Sequence, residues 1–339
     1  MTRVSFGCDA TINEAMTIVG IVIARLVRAI SMEAAHYGTQ INFKQMKVDL
    51  QAAKITDIHN YLLSLVTPRP IAFASTIDKD GNVNLSPFSF FNAFSANPPI
   101  LIFSPSRRGR DNTTKHTWEN VNEVPEVVIN IVNYDIVQQM SLSSSEFAKG
   151  VNEFGKSGLT EVPSELVKPP RVKESPASIE CKVIELKPLG DQGGAGQLVI
   201  CEALMIHINE TILDDQNKID PRKLDAVGRS GGNWYARAFG DALFEVPKPT
   251  TGDAIGIDNM PEAVRNSKVL TGNDLGMLGN VKSSPDHEEV IKFSEEPEVI
   301  SILEKFSDDP AGKEIALHQL AKFYLEQHEV EAAWKVLMQ

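Results

Sequence analysis

This 339-residue chain contains a series of closely spaced segments with the sequence pattern of β-strands. Between residues 71 and 132 the sequence predicts four strands, at 71–77, 83–95, 99–103 and 126–132. The first two are separated by Asp78-Lys-Asp-Gly-Asn82, a turn in which Gly81 can adopt the positive φ that a tight hairpin needs. Short strands joined in this way are typical of antiparallel sheets and barrels.

The rest of the chain adds few helices between its strands. We predict further strands at 177–186, 198–208 and 243–246, and helices at 48–65 and 114–124. Thr67-Pro-Arg-Pro70 ends the first helix, because proline disfavours the helical conformation in the residue before it. Helices and strands do not alternate as a parallel doubly wound sheet requires. The predicted fold class is therefore mainly β, a barrel with added helices.

Composition divides the chain into four segments. We expect residues 1–45 to be an N-terminal extension outside the core, and residues 46–250 to form the barrel. Residues 251–285 are rich in Gly, Asn and Asp and are predicted to wrap the surface as loop, ahead of an acidic helical tail at 286–339. The apolar run at 16–24 is too short to span a bilayer, and it lacks the flanking features of a secretory signal.

Acidic residues concentrate near the C-terminus. From residue 281 onward there are 13 acidic and 6 basic residues, which accounts for −7 of the net charge of −12. A chain this acidic is not expected to bind nucleic acid or an anionic membrane. Asp308-Asp309-Pro310 predicts a helix start, and the apolar spacing beyond it matches much of one tetratricopeptide unit. The alternative is a simple helical hairpin that packs on the barrel or on a partner.

Several common catalytic and cofactor motifs are absent from the sequence. It contains no G-x-G-x-x-G after a strand, no metal-binding histidine spacing and no G-x-S-x-G. Cys8, Cys181 and Cys201 form no C-x-x-C pair, which suits a reducing cytoplasm and offers no metal site. The glycine-rich segment 190–196 lies between two predicted strands, so we interpret it as a hairpin tip rather than a phosphate cradle.

Hydroxyl, amide and basic residues are concentrated between the apolar strands from residue 67 onward. Arg69 stands between two prolines, and Ser86, Ser89 and Asn92 lie among aromatic residues. Polar groups beside buried strands need hydrogen-bond partners, so this density indicates a polar ligand.

A second group of polar residues surrounds the predicted helix start near residue 115. Three arginines, at 107, 108 and 110, precede Lys115 and Thr117. Unpaired N–H groups and the positive end of the helix dipole would help Lys115 and Thr117 to bind an anion. The alternative is a solvated helix start that is capped by a threonine.

Eight segments together resemble a known family. In chain order they are Thr67-Pro-Arg-Pro-Ile71, Ser75-Thr76, Asp80-Gly-Asn82, Asn84-Leu-Ser-Pro-Phe-Ser-Phe-Phe-Asn92, Ser95-Ala-Asn-Pro-Pro99, Lys115-His-Thr-Trp-Glu-Asn120, Val127-Val-Ile-Asn-Ile-Val132 and Gly228-Arg-Ser-Gly-Gly-Asn-Trp-Tyr-Ala-Arg237. Their content and order resemble the flavin reductase-like, flavoredoxin-type FMN-binding split barrels. The resemblance covers roughly residues 47–250.

This resemblance implies a Greek-key split β-barrel that dimerises and holds FMN near the subunit interface. Lys115 and Thr117 would meet the FMN phosphate, with Arg69 nearby. The implied contacts of the ribityl chain and the isoalloxazine ring are Ser86, Ser89, Phe90 and Asn92, with Ser104 as a further candidate. One position departs from the family pattern, because His116 stands where an acidic residue would orient the lysine.

The implied activity is reduction of flavin by NADPH or NADH. Such a reaction needs no general acid or base from the protein, because the cofactor carries the chemistry. One alternative is a flavoredoxin-like electron carrier whose partner protein docks on the acidic tail. Another is a non-catalytic flavin-binding module in which the tail is the interaction element. Pyridoxamine phosphate oxidases share the general barrel, but the Pro-Arg-Pro and Ser-Pro-Phe-Ser-Phe-Phe-Asn segments resemble the reductase branch.

Overall fold

Residues 45–249 and 254–339 are described by a computed structural model of the chain. The predicted N-terminal extension therefore lies almost entirely outside the described residues. The chain divides into two compact units, the first ending at Gly240 and the second running from Asp241 to Gln339. Among the described residues, none of the helices is long and apolar enough to cross a membrane.

One antiparallel sheet of seven strands dominates the first unit. Its strands are β1 (Ala72–Ile77), β2 (Val83–Phe88), β3 (Phe91–Ala96), β4 (Pro99–Phe103), β5 (Glu126–Asn130), β8 (Ala177–Pro188) and β9 (Gln197–Ile208). Their spatial order is β2-β1-β5-β8-β9-β4-β3. The hairpins β1–β2 and β3–β4 therefore lie at opposite ends of the sheet, although they are consecutive in sequence. The mainly β architecture agrees with the prediction from the sequence.

The long β8–β9 hairpin links the two halves of the sheet. Its register shifts twice, between Glu180 and Cys181 and between Val183 and Glu185. Such irregularities bend a strand and increase its twist. The glycine-rich segment 190–196 forms the tip of this hairpin, as predicted, and Gly194 there has a φ of +87°.

Every residue of β1 is buried, so both faces of this strand pack against the interior. Ala72 and Ala74 belong to the core cluster that contains Phe103, whereas Phe73 belongs to a second cluster that contains Phe154. Successive side chains of a strand point to opposite faces, so one strand contributes to both clusters. A strand buried on both faces is mostly apolar, and Ser75 and Thr76 are the two polar residues of β1.

Short helices and strand pairs complete the first unit. The helices are α1 (Ile55–Leu65), α2 (His116–Glu123), α3 (Val137–Ser143), α4 (Glu153–Ser157) and α5 (Pro221–Leu224). The small strand pairs are β6 (Glu161–Val162) with β7 (Arg171–Val172), and β10 (Val227–Arg229) with β11 (Tyr235–Arg237). Met140 of α3 and Phe154 of α4 are buried in the second core cluster, so these helices cover one face of the sheet.

Three local predictions differ from the structure. The predicted strand 83–95 is divided into β2 and β3 by a break at residues 89 and 90. Within the described chain, residues 243–246 form no strand, and Phe244 is 81% exposed because no neighbouring strand pairs with this segment. The hairpin β10–β11 was not predicted. It is held to the segment before β1 by backbone hydrogen bonds of 2.9 and 2.8 Å between Arg69 and Arg229, two residues far apart in sequence.

The second unit is helical. Its helices are α6 (Glu262–Arg265), α7 (Gly272–Gly279), α8 (His287–Phe293), α9 (Pro297–Lys305), α10 (Pro310–Glu326) and α11 (Val330–Leu337). Asp309 caps α10 by accepting a hydrogen bond from the Gly312 N–H at 2.9 Å, which confirms the predicted helix start. Trp334 is fully buried at the centre of the unit and donates its indole N–H to the Leu278 carbonyl at 3.0 Å.

The segment predicted to be surface loop contains two of these helices, α6 and α7. Thr271 and Asp274 form a capping box at the start of α7, and Leu278 is buried against residues of α10 and α11. Tertiary packing thus orders a stretch whose glycine and asparagine content disfavours helix in isolation. The domain boundaries at 250 and 285 themselves remain predictions.

Candidate functional site

Three cationic side chains and one carboxylate meet beside the start of α2. Arg110 Nη2 lies 2.7 Å from Glu146 Oε2. Arg108 Nε and Lys115 Nζ lie 3.5 and 3.9 Å from the other carboxylate oxygen. We refer to Arg108, Arg110 and Lys115 as the cation cluster. Three positive charges around a single carboxylate leave the group with an excess of positive charge, which favours an anionic ligand.

The loop that carries the cluster is held by its own arginines. Arg107 Nε donates to Asn112 Oδ1 at 2.6 Å, and Arg108 Nη1 donates to the Thr113 hydroxyl at 3.0 Å and to the Thr114 carbonyl. Within the described part of the chain, Arg108 Nε is buried and has no hydrogen-bond partner. A buried charged donor without a partner is costly, so this atom marks a place where an acceptor would be stabilised.

The start of α2 adds backbone donors to the same site. Lys115 occupies the N-cap position in an extended conformation, and among the described residues no side chain caps the helix there. The first N–H groups of a helix lack intrahelical partners and carry the positive end of the helix dipole. The alternative of a threonine-capped start is therefore wrong, since Thr117 is already inside the helix.

Lys115 is partly withdrawn from solvent, with 32% of its side chain exposed. Burial, followed by the nearby positive charge of Arg108, lowers the pKa of its ammonium group below the usual value. Burial also lowers the pKa of the neighbouring His116 imidazole. Burial thus disfavours the charged forms of both side chains, and an anion bound beside them would favour those forms.

A cleft of about 30 Å³ adjoins Arg108 and Lys115. Ser86 and Thr117 line it, so the structure brings three of the predicted site residues together, namely Lys115, Thr117 and Ser86. Thr117 is buried, and its hydroxyl accepts a hydrogen bond from Asn84 Nδ2 at 2.9 Å. This bond fixes the first turn of α2 against β2.

Glu153 also lines the cleft, from the start of α4. Its carboxylate accepts a hydrogen bond from the Leu85 N–H at 2.9 Å, and burial raises the pKa of this group. The cleft therefore has a cationic side, formed by Arg108 and Lys115, and a buried carboxyl opposite.

Arg69 lies elsewhere and is occupied by structural contacts. It is 4% exposed, and its guanidinium donates to the carbonyls of Leu63 and Val66 at 2.5 and 2.6 Å. Its Nε donates to the Ser89 hydroxyl at 3.3 Å. Arg69 does not line the cleft beside Lys115. In this structure it ties the end of α1 to the β2–β3 junction.

The other predicted residues lie in the stretch from the end of β2 to the residue after β4. Ser89 and Phe90 occupy the break between β2 and β3, with Phe90 40% exposed, and Asn92 is exposed on β3. Ser104 is buried, and its hydroxyl accepts a hydrogen bond from the Gln197 N–H at 2.9 Å, at the turn end of the β8–β9 hairpin. Neither Asn92 nor Ser104 borders the cleft at Lys115.

The sequence indicates Arg108 and Arg110 only as members of a basic group, and it carries no local signal for Glu146 and Glu153. The last two follow α3 and reach the cleft only through tertiary structure. Among the described residues, no group of three or more histidine, cysteine or acidic side chains is arranged to hold a metal ion.

Comparison with known proteins identifies the family. Residues 64–223 match the family model described as the flavin reductase like domain. An uncharacterized protein of Aquifex aeolicus is 42% identical over 189 residues, which is 56% of this chain and 94% of that protein. The chain belongs to the flavin reductase-like family.

Solved structures of similar proteins agree with this assignment. Nitrilotriacetate monooxygenase component B from Bacillus cereus is 27% identical, with a TM-score of 0.56 over 60% of this chain and 100% of its own. A Shewanella frigidimarina protein with a split barrel domain, described as a flavin reductase, is 27% identical with a TM-score of 0.51 and the same coverage of both chains. The first unit is a split barrel, as the sequence predicted, and its family is one of flavin-related oxidoreductases.

Proposed function

We propose that this protein is an NAD(P)H-dependent flavin reductase that binds FMN with its phosphate at the cation cluster. The observation that carries the proposal is the convergence of Arg108, Arg110 and Lys115 beside the uncapped start of α2. A phosphate monoester carries about −1.5 to −2 charge at pH 7 and three acceptor oxygens, which suits a site of this kind.

The residues present fit a flavin mononucleotide. Arg108 Nε supplies a buried donor that makes no hydrogen bond among the described residues and only a 3.5 Å ion pair with Glu146, and Lys115 and the backbone at the start of α2 supply further donors. Ser86 borders the same cleft from β2, which supports its assignment to the ribityl chain. We assign Ser89, Phe90 and Asn92 to the ring end of the site, because they follow Ser86 along β2 and β3. When bound, the flavin would supply the redox chemistry by accepting a hydride from NADPH or NADH.

A homodimer is part of this proposal. Five of the six residues of β3 are exposed, including Phe94 at 63% exposure. On β9, Leu204, Ile206 and Ile208 are 44%, 58% and 39% exposed. These three side chains alternate along the strand and so share one face of it. An apolar surface of this kind on a soluble domain is commonly buried by another chain.

A second candidate function is that of an electron carrier to a partner protein. It is favoured by the helical second unit, which lies beyond the matched residues 64–223 and contains most of the acidic excess of the chain. In that case bound flavin would be reduced, but free FMN would not be turned over at a useful rate.

An anaerobic titration tests the proposal. The purified protein is expected to be yellow and to release FMN rather than FAD on denaturation, as chromatography would show. Addition of NADPH or NADH should bleach the flavin absorbance, and excess free FMN should then be reduced with multiple turnovers. Bleaching without turnover of free FMN would favour the carrier, and a well-folded protein that binds no flavin would refute both functions.

A further inference from the structure

Glu146 occupies the position in which the cation cluster would hold a phosphate. Its two carboxylate oxygens lie 2.7 Å from Arg110 Nη2 and 3.5 Å from Arg108 Nε. Lys115 Nζ is 3.9 Å away. The carboxylate is 41% exposed and follows the C-terminal end of α3, in a segment outside any helix or strand. An acidic side chain of this chain is therefore the present partner of all three cations.

The space beside Glu146 is small. The cleft has a volume of about 30 Å³, whereas one water molecule alone needs about 10–15 Å³ by a comparable measure. Glu146 lines this cleft together with Arg108 and Lys115, so a phosphate that contacts these two cations would compete with its carboxylate for the same space.

Charge leads to the same conclusion. If Glu146 stayed in place, its carboxylate and a phosphate would face each other across the same cations, and like charges a few ångströms apart repel. If it moved away, the phosphate would have to replace contacts that the cations already make. In either case Glu146 makes the free energy of phosphate binding less favourable.

We propose that Glu146 is an internal competitor for the flavin phosphate, and that it makes FMN an exchangeable substrate rather than a permanently held group. The inference rests on the proposed function, because it takes the cation cluster to be the phosphate site. A reductase that releases reduced FMN needs a phosphate site of limited affinity, and a carboxylate within the site provides this limit.

The test compares FMN with riboflavin, which lacks the phosphate, by fluorescence titration of the flavin-free protein. Glu146→Gln keeps the size of the side chain and removes its charge. We expect Glu146→Gln to lower the Kd for FMN by about tenfold or more, the change expected when one charged contact becomes available to the ligand. The Kd for riboflavin should change by less than about twofold. The variant should also lose bound FMN more slowly than the wild type during dialysis.

Glu123→Gln is the matched control. It removes the same charge from the far end of α2, where Glu123 accepts a hydrogen bond from the Lys79 N–H at 3.1 Å and does not contact the cation cluster. It should leave the affinities for both flavins unchanged. If Glu146→Gln does not fold, Glu146→Ala with the same titrations replaces it, since it also removes the carboxylate.

Two results would overturn the inference. Unchanged or weaker FMN binding by Glu146→Gln would show that Glu146 does not compete with the phosphate. An equal gain for riboflavin would show that the effect does not act through the phosphate. Failure of the proposed function would give a different result from failure of this inference. FMN would then bind the wild type no more tightly than riboflavin does, and Lys115→Ala would not change the affinity for either flavin.

Discussion

Replacement of Lys115 by alanine tests the proposed phosphate site most directly. The ammonium group is one of three cations that surround Glu146, and 32% of its side chain is exposed. Its removal should weaken FMN binding, because one charged donor to the phosphate is lost while Arg108 and Arg110 remain. Riboflavin binding should be nearly unaffected, since riboflavin has no phosphate to contact.

The expected size of the effect follows from the geometry. A hydrogen bond to a charged group contributes about 1.5–3 kcal/mol, which corresponds to roughly a ten- to hundredfold change in Kd. Partial exposure of Lys115 and the two remaining arginines place the expected change at the lower end of this range. Added salt should weaken FMN binding by the wild type more than by Lys115→Ala, because screening acts on the charge that the variant lacks.

Lys149→Ala provides the control for this measurement. Lys149 pairs with Glu119 of α2 at 3.6 Å and is 55% exposed, so its loss removes a similar charge near the same helix without touching the cation cluster. Fluorescence titration of the flavin-free proteins gives the three Kd values. If Lys115→Ala binds FMN within about twofold of the wild type, or if Lys149→Ala weakens binding equally, the assignment of the phosphate to this cluster is refuted.

Three further outcomes are expected. Ile206→Glu places a charge on the exposed apolar face of β9 and should convert the dimer to a monomer, as measured by light scattering. A wild-type protein that is monomeric with FMN bound would contradict the proposed dimer. A chain that ends at Pro249 should bind FMN with wild-type affinity, because the family match ends at residue 223. Loss of FMN binding by a truncated protein that circular dichroism shows to be folded would refute this prediction. Glu180→Gln should lower the free energy of unfolding by about 1–3 kcal/mol in urea titrations at pH 7. The reason is that the buried carboxylate accepts hydrogen bonds from three backbone N–H groups and from His207. An unchanged free energy of unfolding would contradict this role of the carboxylate. Burial raises the pKa of Glu180, but these hydrogen bonds outweigh it and leave the pKa below its usual value. The stabilisation is therefore complete above the unfolded-state pKa of about 4.3 and is lost as the pH falls through the folded-state value, so the difference between wild type and variant should shrink in acid.

The strands could be predicted from the sequence because their signals are local. The apolar run that ends at Ile77 and the turn with Gly81, whose φ is +84°, specify the first hairpin within about a dozen residues. The start of α2 could be predicted for the same reason. The β10–β11 hairpin could not, because its short strands depend on pairing with the backbone of Arg69.

Some residues of the candidate site could also be predicted from local sequence, whereas others could not. The sequence identified Lys115 and Thr117 by their position at a helix start, and the order of the motifs identified the family. Arg69 was expected near the phosphate on the basis of the resemblance, but its donors are bound by carbonyls of α1 and the segment after it. A sequence shows the donors that a side chain carries, whereas only the folded chain shows which of them are already occupied.

Local signals and motif order are enough to predict the mainly β class, most strands of the sheet, the family and the basic helix start. Folding is needed to bring Glu146 to Arg108 and Glu153 to the backbone of Leu85, residues separated by 38 and 68 positions. Tertiary packing is also needed to form the helices between residues 254 and 285. The physical reason is that hydrophobic periodicity and capping act over one or two turns of chain, whereas long-range contacts depend on how the whole core packs.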